Sequence, residues 1–187
     1  MRLILVGPPG AGKGTQATAV AGRLGVPHIS TGEIFRSNVS GGTELGREAQ
    51  RYLDSGRLVP DEVTNAMVRD RLAQPDALPG FLMDGYPRNL AQVAYLDGVL
   101  ADREESLDGV VELAVDRGVV MQRLLERAAR DGRSDDTEEV VRHRFDVYDA
   151  ETAPIVAHYA RVGLLRVVAG EGSVAEVTSR VLAALGV

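Results

Sequence analysis

The chain contains no cysteine in its 187 residues. Disulfides, thiolate zinc sites, iron–sulfur clusters and cysteine nucleophiles are therefore all excluded. Lysine is nearly absent as well: beside 20 arginines there is one, Lys13. An arginine-for-lysine bias can be compositional, but its lone exception marks a position suited to a compact ammonium and not to a guanidinium fork. Only three histidines occur, His28, His143 and His158, too far apart in sequence for a local metal motif. Long apolar runs are missing too. The first, residues 3–6, is far short of a signal-peptide core or of the ~20 residues of a membrane span, so a cytoplasmic protein is expected. The net charge of −6 argues against a general nucleic-acid or anionic-membrane surface and leaves room only for a local basic cleft.

What is present resembles an ordinary globular domain, with 44% hydrophobic and 26% charged residues. The length predicts one domain, or one domain carrying an insertion, and favours a monomer. Strand-like apolar runs at 3–6, 81–83, 110–115 and 164–168, with a weaker one at 28–29, alternate with helical patterns. Those helices are expected over 13–24, 31–39, 43–55, 61–73, 89–101, 117–130, 137–161 and 173–185. Such alternation predicts an α/β fold with a five-stranded parallel sheet flanked by helices. About 50 residues holding at least three helices separate the second and third strands, more than a minimal crossover needs. An insert over 30–59 follows, leaving core segments 1–29, 60–125 and 137–187. The stretch Asp131-Gly-Arg-Ser-Asp-Asp136 predicts a short exposed loop, within a connection spanning 126–136.

Gly7-Pro8-Pro9-Gly10-Ala11-Gly12-Lys13-Gly14-Thr15 directly follows the first strand and precedes the first helix, the setting a phosphate-binding loop requires. Glycines let backbone N–H groups converge on phosphate oxygens, the helix N-terminus adds partial positive charge, and Lys13 can bridge two phosphates. The strict pattern places Ser or Thr directly after the lysine; here Gly14 intervenes and Thr15 becomes the candidate magnesium ligand. A guanine-reading Asn-Lys-x-Asp motif would need a second lysine, and helicase-type or transport ATPases need larger domains. Small-molecule phosphotransferases remain.

With the phosphate loop continuing into Gln16, and with Thr31-Gly-Glu-Ile-Phe-Arg36, Asp84-Gly-Tyr-Pro-Arg88, Arg133-Ser-Asp-Asp136 and Arg144, the sequence resembles the nucleoside monophosphate kinases, and specifically the adenylate kinase family in its short-lid form. That resemblance covers essentially the whole chain. It implies a P-loop NTPase fold with a helical monophosphate-binding insert at 30–59 and a short lid at 126–136. It also implies reversible transfer from MgATP to AMP giving two ADP. On the donor side it implies contacts from Gly10, Ala11, Gly12, Lys13, Gly14, Thr15, Arg123, Arg127 and Gly172, with Arg123 against the ATP adenine. On the acceptor side it implies Thr31, Gly32, Arg36, Arg57, Val59, Gly85, Arg88, Gln92, Arg133 and Arg144. Arg36 and Arg88 would hold the AMP phosphate, while Thr31 and Gln92 would read its base. Lys13, Arg88, Arg127, Arg133 and Arg144 would act on the transferred group. Thr15 and Asp84, the latter through water, would hold the metal, and the resemblance further suggests a cis bond at Tyr86–Pro87.

The chemistry explains the wealth of arginine. A phosphate monoester is already ionised near pH 7, its second pKa being about 6, so no general base has to deprotonate the nucleophile. Catalysis is then positioning and charge neutralisation. A carboxamide such as Gln92 can accept from the adenine amine and donate to the adjacent ring nitrogen. Pyrimidine monophosphate kinases typically carry Asn at that position, and Asn89 lies three residues too early for the role. Taken alone, Arg123 and Arg127 would form a solvated helix face. Glu33, Arg142, His143 and Arg161 are expected at the surface with no part in the chemistry. The loop 126–136 has no room for a folded or zinc-stapled lid, and no zinc is expected. Closure of this loop and of the 30–59 insert is expected to limit turnover. A pyrimidine monophosphate kinase, a nucleotide-sensing regulatory module and a small-metabolite kinase are the alternatives. They lack, respectively, the Gln92 choice, the need for Arg36 with Arg88, and the Thr31–Gln92 pair.

Overall fold

A computed structural model of the chain describes residues 1–131 and 137–187, the side chains of 130 and 131 excepted. Five strands, β1 (Arg2–Val6), β2 (His28–Ser30), β3 (Phe81–Asp84), β4 (Gly109–Ala114) and β5 (Leu165–Ala169), form one parallel sheet in the order β2-β3-β1-β4-β5. Each lies within a residue of its expected position. The helices are α1 (Lys13–Leu24), α2 (Thr31–Ser40), α3 (Glu44–Asp54), α4 (Asp61–Leu72), α5 (Leu90–Ala101), α6 (Arg117–Asp131), α7 (Glu138–Val147), α8 (Ala153–Arg161) and α9 (Val174–Leu185). The expected α/β P-loop architecture is the one observed.

Side-chain alternation in the central strand divides the core. Leu3 and Leu5 join residues of α1, α6, α7 and α9 on one face of the sheet. Ile4 and Val6 join residues of α4, α5 and α8 on the other. All four are at most 3% exposed, and each such burial stabilises the fold by roughly 1.5–3 kcal/mol. A strand covered on both faces explains the unbroken apolar run that the sequence shows there.

Most helix starts are set by side-chain caps. Ser30, Thr43, Asn89 and Ser173 accept from backbone N–H groups of α2, α3, α5 and α9. Between β2 and α4, helices α2 and α3 enclose a cluster of their own around Phe35, Ala49 and Val59. They approach so closely that a Cβ on Gly46 would stand 2.1 Å from the backbone oxygen of Asn38.

Asp131, expected to open an exposed loop, instead ends α6, and the rest of that loop, 132–136, lies outside the described residues. Among the described residues one expected helix differs. The single helix expected over 137–161 is divided into α7, a π turn at Tyr148–Thr152, and α8. Pro154, at the start of α8, has no N–H to donate and its ring would collide with the carbonyl four residues earlier. The chain widens there, with Ala153 N–H bonding to Tyr148 O, five residues back.

Candidate active site

β1 ends at Val6, β3 ends at Asp84, and the crevice outside these carboxyl ends is where open α/β sheets bind ligands. A cleft of about 700 Å³ opens there. Helix α1 begins on its floor with Gly12 as N-cap, a residue with no side chain to satisfy the first N–H groups. Gly14 and Thr15 line the cleft at that helix start. Gly10 adopts φ +84°, and a Cβ there would meet Leu124 Cγ and Val120 O at 2.8 Å, so only glycine lets the loop lie against α6.

Among the described residues, six cations line the cleft, Lys13, Arg36, Arg88, Arg123, Arg127 and Arg144, against three carboxylates, Glu33, Asp84 and Glu126. A chain of net charge −6 thus concentrates positive charge where β1 and β3 end. Lys13 Nζ donates to Gly7 O at 2.7 Å and Pro8 O at 2.9 Å. Burial lowers its pKa to about 8. Asp84 opposes the shift, and Arg88, Arg144 and Arg127 add to it.

Asp84 is 8% exposed, and a Cβ on Gly14 would lie 3.7 Å from its Oδ2. It accepts from Ser30 Oγ at 3.4 Å, and His28 brings Nε2 to 4.0 Å from the same carboxylate oxygen. Thr15, an exposed residue, stands one position beyond Gly14 on the cleft wall. Oxygen donors of this kind suit a magnesium ion that keeps most of its water and binds chiefly to nucleotide phosphates.

A smaller cavity of about 60 Å³ adjoins the cleft, sharing Gly32, Arg36, Gly85, Arg88 and Arg144 with it. Thr31, Arg57, Val59 and Gln92 complete its wall among the residues expected there. Every candidate of the first subsection except Arg133 therefore lines one cavity or both; Arg133 lies outside the described residues. Elements distant in sequence meet here. A Cβ on Gly85 would stand 2.8 Å from Thr31 Oγ1 and 3.3 Å from Arg88 Nη2. Another, on Gly56, would stand 3.0 Å from Arg144 Cγ.

Several of these side chains carry protein contacts that the sequence did not announce. Thr31, 2% exposed, donates to Gly85 O at 2.8 Å. Gln92, also 2% exposed, accepts from Arg88 N–H at 2.7 Å and donates to Asp61 at 2.7 Å. Arg88 is held further by its own Nε on Gly85 O and by Thr152, whose hydroxyl donates to Arg88 O, both at 2.8 Å. The Tyr86–Pro87 bond preceding it is cis. Asn89 caps α5 and donates to Asp61, a structural part. Arg123 donates to Gly170 O at 3.3 Å and Arg180, from α9, to Ala169 O and Glu171 O, so two arginines grip the 169–172 segment at the cleft's other end. Gln16, inside α1, ties that helix to α9 through Val174 O and Thr178 Oγ1. Arg142 pairs with Glu138 at the surface. Asp61 and Thr152 are the residues that sequence reasoning missed. Pro154 was the available signal for Thr152, whereas nothing local marked Asp61.

A phosphate loop on a five-stranded parallel sheet, facing an arginine-lined cleft with an adjoining second cavity, defines a P-loop nucleotide phosphotransferase of the nucleoside monophosphate kinase class. The adenylate kinase family profile matches residues 5–164. The chain is 60% identical over 185 residues to the adenylate kinase of Thermobifida fusca (strain YX), covering 99% of this chain and 98% of that one. It is 57% identical over 184 residues to that of Kocuria rhizophila, covering 98% of each. With that of Nocardioides sp. (strain ATCC BAA-499 / JS614) it shares 55% identity over 187 residues, covering 100% of this chain and 98% of the other. The protein belongs to the adenylate kinase family.

Proposed function

We propose that the protein catalyses the reversible transfer of the γ-phosphoryl group of MgATP to AMP, giving two molecules of ADP. The observation that carries this reading is the pair of adjoining cavities. One is built on the phosphate loop, the other reaches Thr31 and Gln92, and Arg36, Arg88 and Arg144 border both.

A phosphate oxygen of AMP attacks the γ-phosphorus of ATP. The bond from that phosphorus to the β–γ bridging oxygen breaks, and ADP leaves on the donor side while ADP forms on the acceptor side. No proton has to be removed from the nucleophile, so the protein's work is alignment and charge neutralisation. Arg36 and Arg88 hold the acceptor phosphate. Lys13 and the N–H groups of the phosphate loop hold the donor phosphates, and Arg127, Arg133 and Arg144 meet the charge on the group in flight. Thr15, and Asp84 through water, would hold the magnesium that comes with ATP, whose charge would neutralise that of the phosphates. Thr31 and Gln92 face the acceptor base, and Arg123 with the segment at Gly172 faces the donor base. In this reading residues 30–59 form the acceptor-binding insert and 126–136 a short lid, on a core of 1–29, 60–125 and 137–187. Monomeric action in the cytoplasm belongs to the same reading.

The test is Mg²⁺-dependent ADP formation from ATP with AMP, CMP, UMP, GMP or no acceptor at matched concentrations. A strong AMP preference is expected. A CMP or UMP preference would make the enzyme a pyrimidine monophosphate kinase, and absence of transfer would make the phosphate loop a sensor.

A further inference from the structure

Asp61, the first residue of α4, binds the carboxamide of Gln92 at the end opposite Arg88. Its Oδ1 accepts from Gln92 Nε2 at 2.7 Å, and each of its oxygens accepts from Asn89 Nδ2 at 3.0 Å. Asn89 cannot turn round to compete, because its Oδ1 is committed to the N–H of Gln92 at 2.8 Å. A carboxylate only accepts and a backbone N–H only donates. Gln92, with Nε2 on the carboxylate and Oε1 on Arg88 N–H, therefore satisfies both neighbours in one orientation. Turned by half a rotation, it would set oxygen against carboxylate and NH₂ against N–H. Burial of the side chain sharpens the difference, since a mismatched polar group there has no water to turn to.

We propose that Asp61 is a specificity-determining positioning residue: by fixing, together with the Arg88 N–H, which way round the Gln92 carboxamide stands, it makes the acceptor site take 6-amino purines and refuse 6-oxo purines. This rests on the reading above that Gln92 faces the acceptor base. A carboxamide has two N–H groups and two acceptor positions, and the two contacts to protein use one of each. What it can still offer is one acceptor beside one donor. Adenine answers with an amine N–H beside the unprotonated N1. Hypoxanthine has nearly the same shape but presents a C6 oxygen beside N1–H, the reverse order, and the same carboxamide turned round would fit it equally well. Shape therefore does not separate the two bases at this edge; the orientation of Gln92 does.

The experiment compares kcat/KM for AMP with kcat/KM for inosine monophosphate at saturating MgATP, in the wild type and in Asp61→Asn, Asp61→Ser, Asp61→Glu and Gln92→Leu. Asparagine and serine can both donate and accept, so in either variant only the Arg88 N–H still favours the wild-type orientation, and serine supplies a second such variant should the first fold poorly. Asp61→Asn is expected to lower the AMP preference roughly tenfold or more, through a higher KM for AMP and a lower one for inosine monophosphate, with KM for ATP unmoved. Asp61→Glu, less isosteric but acceptor-only, is expected to keep more of the preference than Asp61→Asn; a residue serving only to pack or stabilise would give the opposite order. An unchanged preference in Asp61→Asn and Asp61→Ser, beside a collapsed one in Gln92→Leu, would overturn the inference and leave base reading by Gln92 standing. If Gln92→Leu leaves the preference intact, the base is read elsewhere and both fall.

Discussion

Lys13 donates to the carbonyl of Gly7 at 2.7 Å, so the phosphate loop grips its own ammonium in a partly buried position. Desolvation there brings the pKa to about 8, with Asp84 opposing and three arginines assisting the shift. The lysine of the free protein is thus charged below pH 8 and neutral above it. A polyphosphate favours the charged form and raises the pKa on binding. The Lys13 contribution to ATP affinity is therefore flat with pH below 8 and falls as pH rises through 8, by up to about tenfold per unit. Calorimetry on either side of that pH, in buffers of different ionisation enthalpy, should find proton uptake with ATP binding. By the same shift the free fold gains stability between pH 8 and 10.5, where the unfolded chain binds a proton that the folded one has lost. Lys13→Arg, which stays charged and cannot occupy the same space, should abolish the decline in affinity and lower turnover by about 10²-fold. Wild-type activity in that variant would remove Lys13 from the phosphate cradle.

Gly46 and Gly22 are both helical, and the same substitution should act oppositely at the two. A Cβ on Gly46 would stand 2.1 Å from a backbone oxygen of α2, which no side-chain rotation relieves. Overpacking of this kind costs about 1–3 kcal/mol. Gly22 has nothing within 4 Å of the same position, and alanine there gains up to about 1 kcal/mol of helix propensity. Thermal unfolding should show a lower Tm for Gly46→Ala and a higher one for Gly22→Ala. A rise in both would mean that α2 and α3 separate freely.

The difference between what was legible and what was not follows the range of the interactions. Strand positions, the phosphate loop and most helix starts were readable because each rests on local pattern: alternation, glycine placement, a capping side chain within three residues. The wall of the second cavity was readable only through family resemblance, since Thr31, Arg57 and Gln92 are joined by no local signal. The contacts of Asp61 were beyond both. Its partners are 28 and 31 residues away, brought to it by the packing of α4 beside α5. The π turn lay between these cases, because Pro154 was visible but its effect depends on the neighbouring helix being long enough to need interruption.

Thr152 owes its position to that π turn, and its hydroxyl reaches Arg88 O at 2.8 Å. Together with Gln92 on Arg88 N–H, it fixes the backbone that carries the guanidinium. Thr152→Val keeps the shape and removes the donor, a loss of about 1 kcal/mol. KM for AMP should rise several-fold while KM for ATP stays constant. Equal changes in the two constants would show that the bond serves the fold generally and not the part proposed for Arg88 at the acceptor phosphate.

Arg180 does not line the cleft, yet it donates to Ala169 O and, at 2.5 Å, to Glu171 O, while Arg123 takes the intervening Gly170 O. Three successive carbonyls are thereby held by guanidinium groups from two different helices. In the proposed reading this segment faces the donor base, so its shape matters to ATP and not to AMP. Arg180→Met retains an apolar stem and removes both hydrogen bonds. Bonds to a charged group contribute about 1.5–3 kcal/mol each, but Arg123 still restrains the segment, so the expected result is a rise of about tenfold in KM for ATP. KM for AMP and the turnover at saturation should be unchanged. Arg180→Lys, which can reach one carbonyl but cannot fork across two, should fall between the wild type and Arg180→Met. A variant that loses turnover with both substrates would instead show that Arg180 holds α9 against the sheet, and the donor base would then be positioned by Arg123 alone.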